Sequence, residues 1–252
     1  MFTTAERAAL RAALISRAEA DERIVAGALT GSGALDALDR WSDIDLTFGI
    51  GPADGPVSGL AEVLADWTAL MYAEHGAVHH MDVHAGATIY RVFLLDSTLQ
   101  VDLSFAPHAE WGAAGPKFLL LFGTTGHREW RVPPSPAELA GLGWLYALHA
   151  RSSLARGRLW QAEYMISGVR DYVLALACLH HGLPPLQGRG MDDLPAKVTA
   201  PLAGALVRSL DPAELARAFG AVTQALLAEI RHTDAALADR LAAPLRELAD
   251  LT

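Results

Sequence analysis

The sequence predicts an α/β (α+β) N-terminal domain over residues 1–134, followed by an all-α helical bundle domain over residues 135–252. In the first half, runs with helical spacing alternate with strand-type runs. The stretch Val132-Pro133-Pro134-Ser135-Pro136 separates the halves, because consecutive prolines continue neither a helix nor a central strand. Beyond it, the apolar residues recur with the period of a helix. The 252 residues, 52% of them hydrophobic, are enough for two cores.

The elements follow from these patterns in chain order. In the first domain, helices are predicted over 4–20, 33–38 and 60–74, strands over 23–29, 43–50, 77–84, 88–95 and 99–105, and a Gly- and Pro-rich loop over 49–59. In the second, helices are predicted over 138–153, 159–181, 195–210, 212–232 and 234–251, the last interrupted or restarted at Pro244. Asp211 is placed to cap the helix that begins at Pro212.

Two carboxylates in the run Trp41-Ser42-Asp43-Ile44-Asp45-Leu46 are the first candidate functional residues. Side chains alternate between the faces of a strand, so Asp43 and Asp45 project together while Ile44 and Leu46 face a core. Mg²⁺ favours oxygen ligands and is commonly held by one or two carboxylates plus substrate phosphates. The pattern therefore indicates a nucleotide site, although an ordinary Asp-rich turn would also place acids here.

The turn Thr30-Gly31-Ser32-Gly33 precedes these acids by about a dozen residues and completes the candidate site. Gly31 and Gly33 let the backbone approach a ligand closely, and a helix beginning near Ser32 would direct free N–H groups at phosphate.

Gly31-Ser32, a spacer, and then Asp43-Ile44-Asp45-Leu46 resemble the signature of the DNA polymerase β-type nucleotidyltransferases. The resemblance implies a mixed sheet and a third carboxylate on a later strand, for which Leu99-Gln100-Val101-Asp102-Leu103 offers Asp102. Asp82 and Asp96 are the competing candidates for that role. With the domain order, the resemblance extends to two-domain antibiotic (aminoglycoside and lincosamide) nucleotidyltransferases.

The resemblance also implies a reaction and its cofactors. A substrate hydroxyl attacks the α-phosphate of ATP or another nucleoside triphosphate, pyrophosphate leaves, and two Mg²⁺ ions are held by Asp43, Asp45 and Asp102. Asp102 could instead, or also, act as general base. Ser32 and the backbone of Gly31 and Gly33 would hold the β- and γ-phosphates. The Ser42 hydroxyl either reaches phosphate or caps the turn.

Two further polar groups have both a functional and a structural interpretation. Glu163, Ser167 and Arg170 share one face of the 159–181 helix. In the functional interpretation, Glu163 recognises an ammonium group or accepts the hydroxyl proton, and Arg170 pairs with phosphate. In the structural one, Arg170 forms an ion pair with Glu163 or another acid. His80, Asp82 and His84 alternate along a strand as metal ligands would, but no further cluster completes a zinc site.

Charge and composition limit the classes of molecule that the protein is expected to bind and its expected location. The net charge is −9 and the lysines are Lys117 and Lys197, which argues against nucleic acid and favours a cationic small molecule as hydroxyl acceptor. There is neither an apolar run long enough to span a membrane nor a signal sequence, and Cys178 is the single cysteine, so a cytoplasmic protein is predicted. A homodimer is compatible with the sequence.

Two other functions remain open at this stage. One is transfer of a nucleotide to a protein, and the other is a toxin–antitoxin-type or regulatory nucleotide-binding protein. All three acids are present, which weakens a catalytically inactive version of the second.

Overall fold

The computed structural model describes residues 1–35, 38–51, 59–126, 128 and 132–250. The chain divides into two compact units, Met1–Arg131 and Val132–Thr252. The first unit contains a six-stranded mixed sheet with helices, and the second is helical. This confirms the predicted fold class of an α/β region followed by a helical region.

The first unit is built around one sheet. Its elements are α1 (Thr4–Glu19), β1 (Ile24–Thr30), β2 (Ile44–Ile50), α2 (Leu60–Glu74), β3 (Ala77–Ala85), β4 (Thr88–Leu95), β5 (Gln100–Pro107) and β6 (Phe118–Phe122), with 3₁₀ turns at Gly31–Leu35 and His108–Glu110. The strand order is β3-β4-β5-β2-β1-β6. β2 and β5 are parallel and the other neighbours are antiparallel, so the sheet is mixed.

The alternation of side chains decides which face of the sheet is available for function. In the two central strands, every second residue enters a single core that includes α1 and α2 side chains; these residues are Ile44, Leu46, Phe48, Ile50, Val101, Leu103 and Phe105. Trp67 of α2 lies against Phe48, with ring centroids 5.2 Å apart. The intervening residues, which include Asp45 and Asp102, therefore point to the opposite face.

Two local expectations in this unit need correction. The segment expected to be a helix over 33–38 is a 3₁₀ helix over Gly31–Leu35, while Asp36 and Ala37 lie outside the described residues. The edge strand β6, with sequence FLLLF, was not predicted. A five-residue apolar run has no readable period, and β6 becomes a strand by pairing with β1.

The helical unit consists of α3 (Pro136–Ala155), α4 (Leu159–His180), α5 (Ala196–Ala203), α6 (Pro212–Thr233) and α7 (Ala235–Ala249). Ser135 and Glu138 form a capping box at the start of α3. The predicted cap of α6 is confirmed, because the Asp211 side chain accepts a hydrogen bond from the N–H of Ala213. One core cluster draws buried side chains from α3 to α7, with Phe219 and Leu226 of α6 fully buried in it.

Two helix boundaries differ from the expectation. α5 ends at Ala203 instead of continuing to Leu210, and Arg217 donates hydrogen bonds to the carbonyls of Gly204 and Leu206 in the non-helical segment that follows. α7 continues through Pro244, because residues on both sides of the proline are buried in the core and this packing offsets the lost hydrogen bond. Within the described part of the chain, no helix is both long and apolar enough to cross a bilayer.

Candidate active site

Asp45 and Asp102 lie side by side because β2 and β5 are parallel neighbours in matching register. The register pairs Ile44 with Val101, Asp45 with Asp102 and Leu46 with Leu103. Both carboxylates project from the face opposite the α1–α2 core, and both are half-buried. The strand pairing thus brings together two acids that are far apart in the sequence.

Asp43 joins them from the residue that precedes β2. The ligand oxygens of Asp43, Asp45 and Asp102 all lie within 4.8 Å of one another, an arrangement that can hold a metal ion. Among the described residues, this is the one group of three or more acidic, His or Cys side chains with such geometry. Three carboxylates form a hard oxygen donor set, which suits Mg²⁺ better than a soft metal.

Burial and a neighbouring carboxylate both disfavour the charged form of Asp102. Burial raises the pKa of Asp102 above its ordinary value, a hydrogen bond from Gln100 opposes that shift, and repulsion from Asp43 adds to it. A divalent cation would relieve both burial and repulsion, because it favours the charged carboxylate. The donor set therefore fits magnesium.

Gly31 is required by its contact with Asp45. Its φ is +62°, and a Cβ added there would lie 2.0 Å from Oδ2 of Asp45. No other residue permits this close approach of backbone and carboxylate. The turn forms a 3₁₀ helix of five residues that starts at Gly31, and contact of its N–H groups with phosphate stays a prediction. Ser32 and Gly33 lie half-buried in it.

Ser42 belongs to the turn that leads into β2. Its hydroxyl donates to Oδ1 of Asp39 at 2.9 Å, and the N–H of Trp41 donates to the same oxygen at 2.8 Å. The capping alternative is thus the one present in the structure. Contact between Ser42 and phosphate stays a prediction.

The polar face of α4 lies in the helical unit. The Ser167 hydroxyl donates to Oε1 of Glu163 at 2.7 Å, and the Arg170 guanidinium forms an ion pair with Asp171 at 2.8 Å. Arg170 is therefore paired with another acid instead of with Glu163. The ligand contacts predicted for Glu163 and Arg170 stay predictions.

On β3, which carries His80, Asp82 and His84, the side chains of His80 and Asp82 make structural contacts. Both oxygens of Asp82 accept hydrogen bonds of 2.7 Å from Arg91, which lowers the pKa of Asp82. His80 shares a 3.0 Å hydrogen bond with the Tyr72 hydroxyl. Asp102, and neither Asp82 nor Asp96, is the acid that the structure brings to Asp43 and Asp45.

Three residues near the site were missed by sequence analysis. Gln100 donates to Oδ1 of Asp102 at 2.9 Å. Its position two residues before Asp102 on one strand face could have identified it. The other two are Arg7 and Arg11, one helical turn apart in α1. Arg7 donates hydrogen bonds to the backbone carbonyls of Asp39 and Ser42. Nη1 of Arg11 lies 3.9 Å from the position that a Cβ on Gly33 would occupy. No local pattern signals contacts between a helix and a distant turn.

Two solved structures resemble this protein weakly in fold. The aminoglycoside 6-adenyltransferase from Bacillus subtilis is similar with 12% identity and a TM-score of 0.43, over 97% of this chain and 98% of that one. The polymerase core of TRAMP, an RNA surveillance complex, is similar with 14% identity and a TM-score of 0.30, over 98% and 81% of the respective chains. Scores of this size identify neither an activity nor a substrate. No protein-family profile and no curated protein matches the sequence.

Proposed function

We propose that this protein is a magnesium-dependent nucleotidyltransferase that moves a nucleoside monophosphate, AMP from ATP, to a hydroxyl group of a small molecule. The observation that carries the proposal is the cluster of Asp43, Asp45 and Asp102, whose ligand oxygens lie within 4.8 Å of one another. Beside it, Gly31 brings backbone into contact with Asp45. Carboxylates beside a glycine-containing turn can hold a metal ion and the phosphates that it binds.

In the proposed reaction, the acceptor oxygen bonds to the α-phosphorus of the triphosphate. The bond from that phosphorus to the bridging oxygen breaks, and pyrophosphate leaves with the electron pair. Mg²⁺, with two ions expected, would neutralise phosphate charge and make the acceptor hydroxyl easier to deprotonate. Asp43 and Asp45 would orient the triphosphate, and Asp102 would accept the hydroxyl proton.

The turn residues and one arginine would hold the phosphates. Gly31, Ser32 and Gly33 lie in the connection between β1 and β2, and Gly31 lies against the carboxylate of Asp45. Arg11 is half-buried close to Gly33, and among the described residues no carboxylate forms an ion pair with it. Beside this turn, a guanidinium that has no acidic partner among the described residues suits the triphosphate.

For the acceptor, we propose an aminoglycoside-type polycation. The chain has a net charge of −9, which attracts cations and disfavours nucleic acid. Glu163, whose carboxylate is bound by Ser167, is a proposed contact for an acceptor ammonium group. Glu163→Gln should then raise the KM for acceptor and leave the KM for ATP unchanged.

The test is pyrophosphate release from ATP and Mg²⁺ across a panel of aminoglycosides and lincosamides. Asp45→Asn should reduce acceptor-dependent release to background, because it removes a metal-binding charge. Asp96→Asn is the matched control, since Asp96 is an exposed acid of the same unit outside the cluster. Equal activity of Asp45→Asn and wild type would refute the site. Nucleotide binding without release on any acceptor would instead favour a protein target or a regulatory role.

A further inference from the structure

Arg7 is a buried charge with an unusual set of partners. It lies in α1 with 6% of its surface exposed. Its Nη1 donates to the backbone carbonyl of Asp39 at 2.5 Å and to that of Ser42 at 2.8 Å. A buried guanidinium is costly unless hydrogen-bonded, so both contacts matter for the folded state.

The second of these carbonyls is directly linked to the candidate metal site. The C=O of Ser42 and the N–H of Asp43 belong to one rigid peptide unit. The Asp43 Cα lies in the plane of this peptide unit. A hydrogen bond that holds the Ser42 carbonyl therefore also restricts the position of the Asp43 Cα. Arg7 thus acts on the backbone immediately before the first carboxylate.

Asp43 needs such support more than the other two acids. Asp45 and Asp102 lie within paired strands, whereas Asp43 precedes the first residue of β2. The turn before it is exposed, with Trp41 67% accessible. The carboxylate oxygens of Asp43 and Asp102 lie within 4.8 Å of each other, and like charges at this distance repel, which acts against their close approach.

We propose that Arg7 is a positioning residue for the metal site: through the Ser42 carbonyl, its guanidinium holds Asp43 beside Asp45 and Asp102. The inference rests on the proposed function, because it assigns a purpose to the same acidic cluster. It explains why a buried cation is directed at two carbonyls of this turn, where an apolar side chain would fill the space without the cost of burying charge.

The experiment compares three variants of the full chain. Arg7→Met keeps the length and removes the donors, and Arg7→Lys retains one cationic donor group without the planar fork. Arg23→Met is the matched control, because Arg23 is a structural arginine of the same unit, paired with Asp21 and Asp66. Each variant is measured for Tm, for Mn²⁺ affinity by electron paramagnetic resonance, and for the Mg²⁺ concentration that gives half-maximal pyrophosphate release.

Arg7→Met should weaken Mn²⁺ binding by about 10- to 100-fold, the usual effect of removing a group that orients metal ligands, with Arg7→Lys in between. Arg23→Met should lower Tm and leave Mn²⁺ affinity unchanged. Equal Mn²⁺ affinity in Arg7→Met and wild type would overturn the role of Arg7 and leave the proposed function standing. If Arg7→Met does not fold, Arg7→Lys with wild-type Mn²⁺ affinity would overturn it equally. A wild-type protein that binds no Mn²⁺, with or without ATP, would overturn both.

Discussion

Replacing Gly31 by alanine adds one methyl group at the point where the backbone meets the acidic cluster of Asp43, Asp45 and Asp102. The new Cβ would stand 2.0 Å from Oδ2 of Asp45 and 2.8 Å from its Cγ. Carbon and oxygen do not approach so closely without bonding, so the carboxylate must retreat by about 1 Å or more. A misplacement of about 1 Å in an active site can cost about 10²-fold in rate. We therefore expect Gly31→Ala to lose about that factor in pyrophosphate release and to bind Mn²⁺ more weakly.

One control separates this contact from the backbone strain of a left-handed residue. Gly86, in the turn between β3 and β4, has φ +61° and no atom within 4 Å of its added Cβ, so Gly86→Ala carries the strain of about 1–2 kcal/mol alone. Gly86→Ala should retain activity when folded and should lower Tm as Gly31→Ala does. Wild-type rate and Mn²⁺ affinity in Gly31→Ala would refute the reasoning.

Three further predictions address the phosphate contact, a buried hydrogen bond and an ion pair. Arg11→Met should weaken ATP binding in a fluorescent-nucleotide titration and leave Mn²⁺ affinity without nucleotide unchanged; unchanged ATP affinity would remove Arg11 from the site. Thr47→Val should lower the free energy of unfolding, measured by urea denaturation, by about 1–3 kcal/mol. The reason is that the buried indole N–H of Trp111 donates to the Thr47 hydroxyl at 2.9 Å and would lose its acceptor. An unaltered urea midpoint would show that another acceptor replaces the hydroxyl. The Arg217 guanidinium lowers the pKa of Glu214 to about 2 from 4.5, so their interaction is fully present above pH 4.5 and is lost as the pH falls towards 2. Accordingly, the Tm difference between wild type and Glu214→Gln should be constant above pH 5.5 and shrink below 4.5, and a difference independent of pH would contradict this.

Local alternation of apolar and acidic residues predicted that Asp43 and Asp45 project together, and the family resemblance selected Asp102 as a third acid. The structure brings these three carboxylates into one cluster. The register that pairs Asp45 with Asp102 is a property of the assembled sheet and could not be derived from either segment. The contacts of Arg7 join a helix to a turn more than thirty residues away, and no periodicity encodes such a pair.

The helical half was predicted well where caps and periodicity agreed, as at the start of α6, where Asp211 precedes Pro212. It was predicted poorly where tertiary contacts decide the outcome. The carbonyls of Gly204 and Leu206 after α5 accept hydrogen bonds from Arg217, and α7 continues through Pro244 with Ala238 and Leu245 buried in the core. In both cases, contacts distant in sequence outweigh local propensity.

The parallel pairing of β2 with β5 has a consequence for how the protein folds. The strands that carry Asp45 and Asp102 are separated by α2 and the β3–β4 hairpin, so the two acids meet only when all of this intervening chain is closed into a loop. Closing so long a loop costs chain entropy, so we expect the acidic cluster to be among the last features of the first unit to form. A cation that binds the assembled cluster stabilises the native state by mass action, so Mg²⁺ should slow unfolding and leave the early folding phase unchanged.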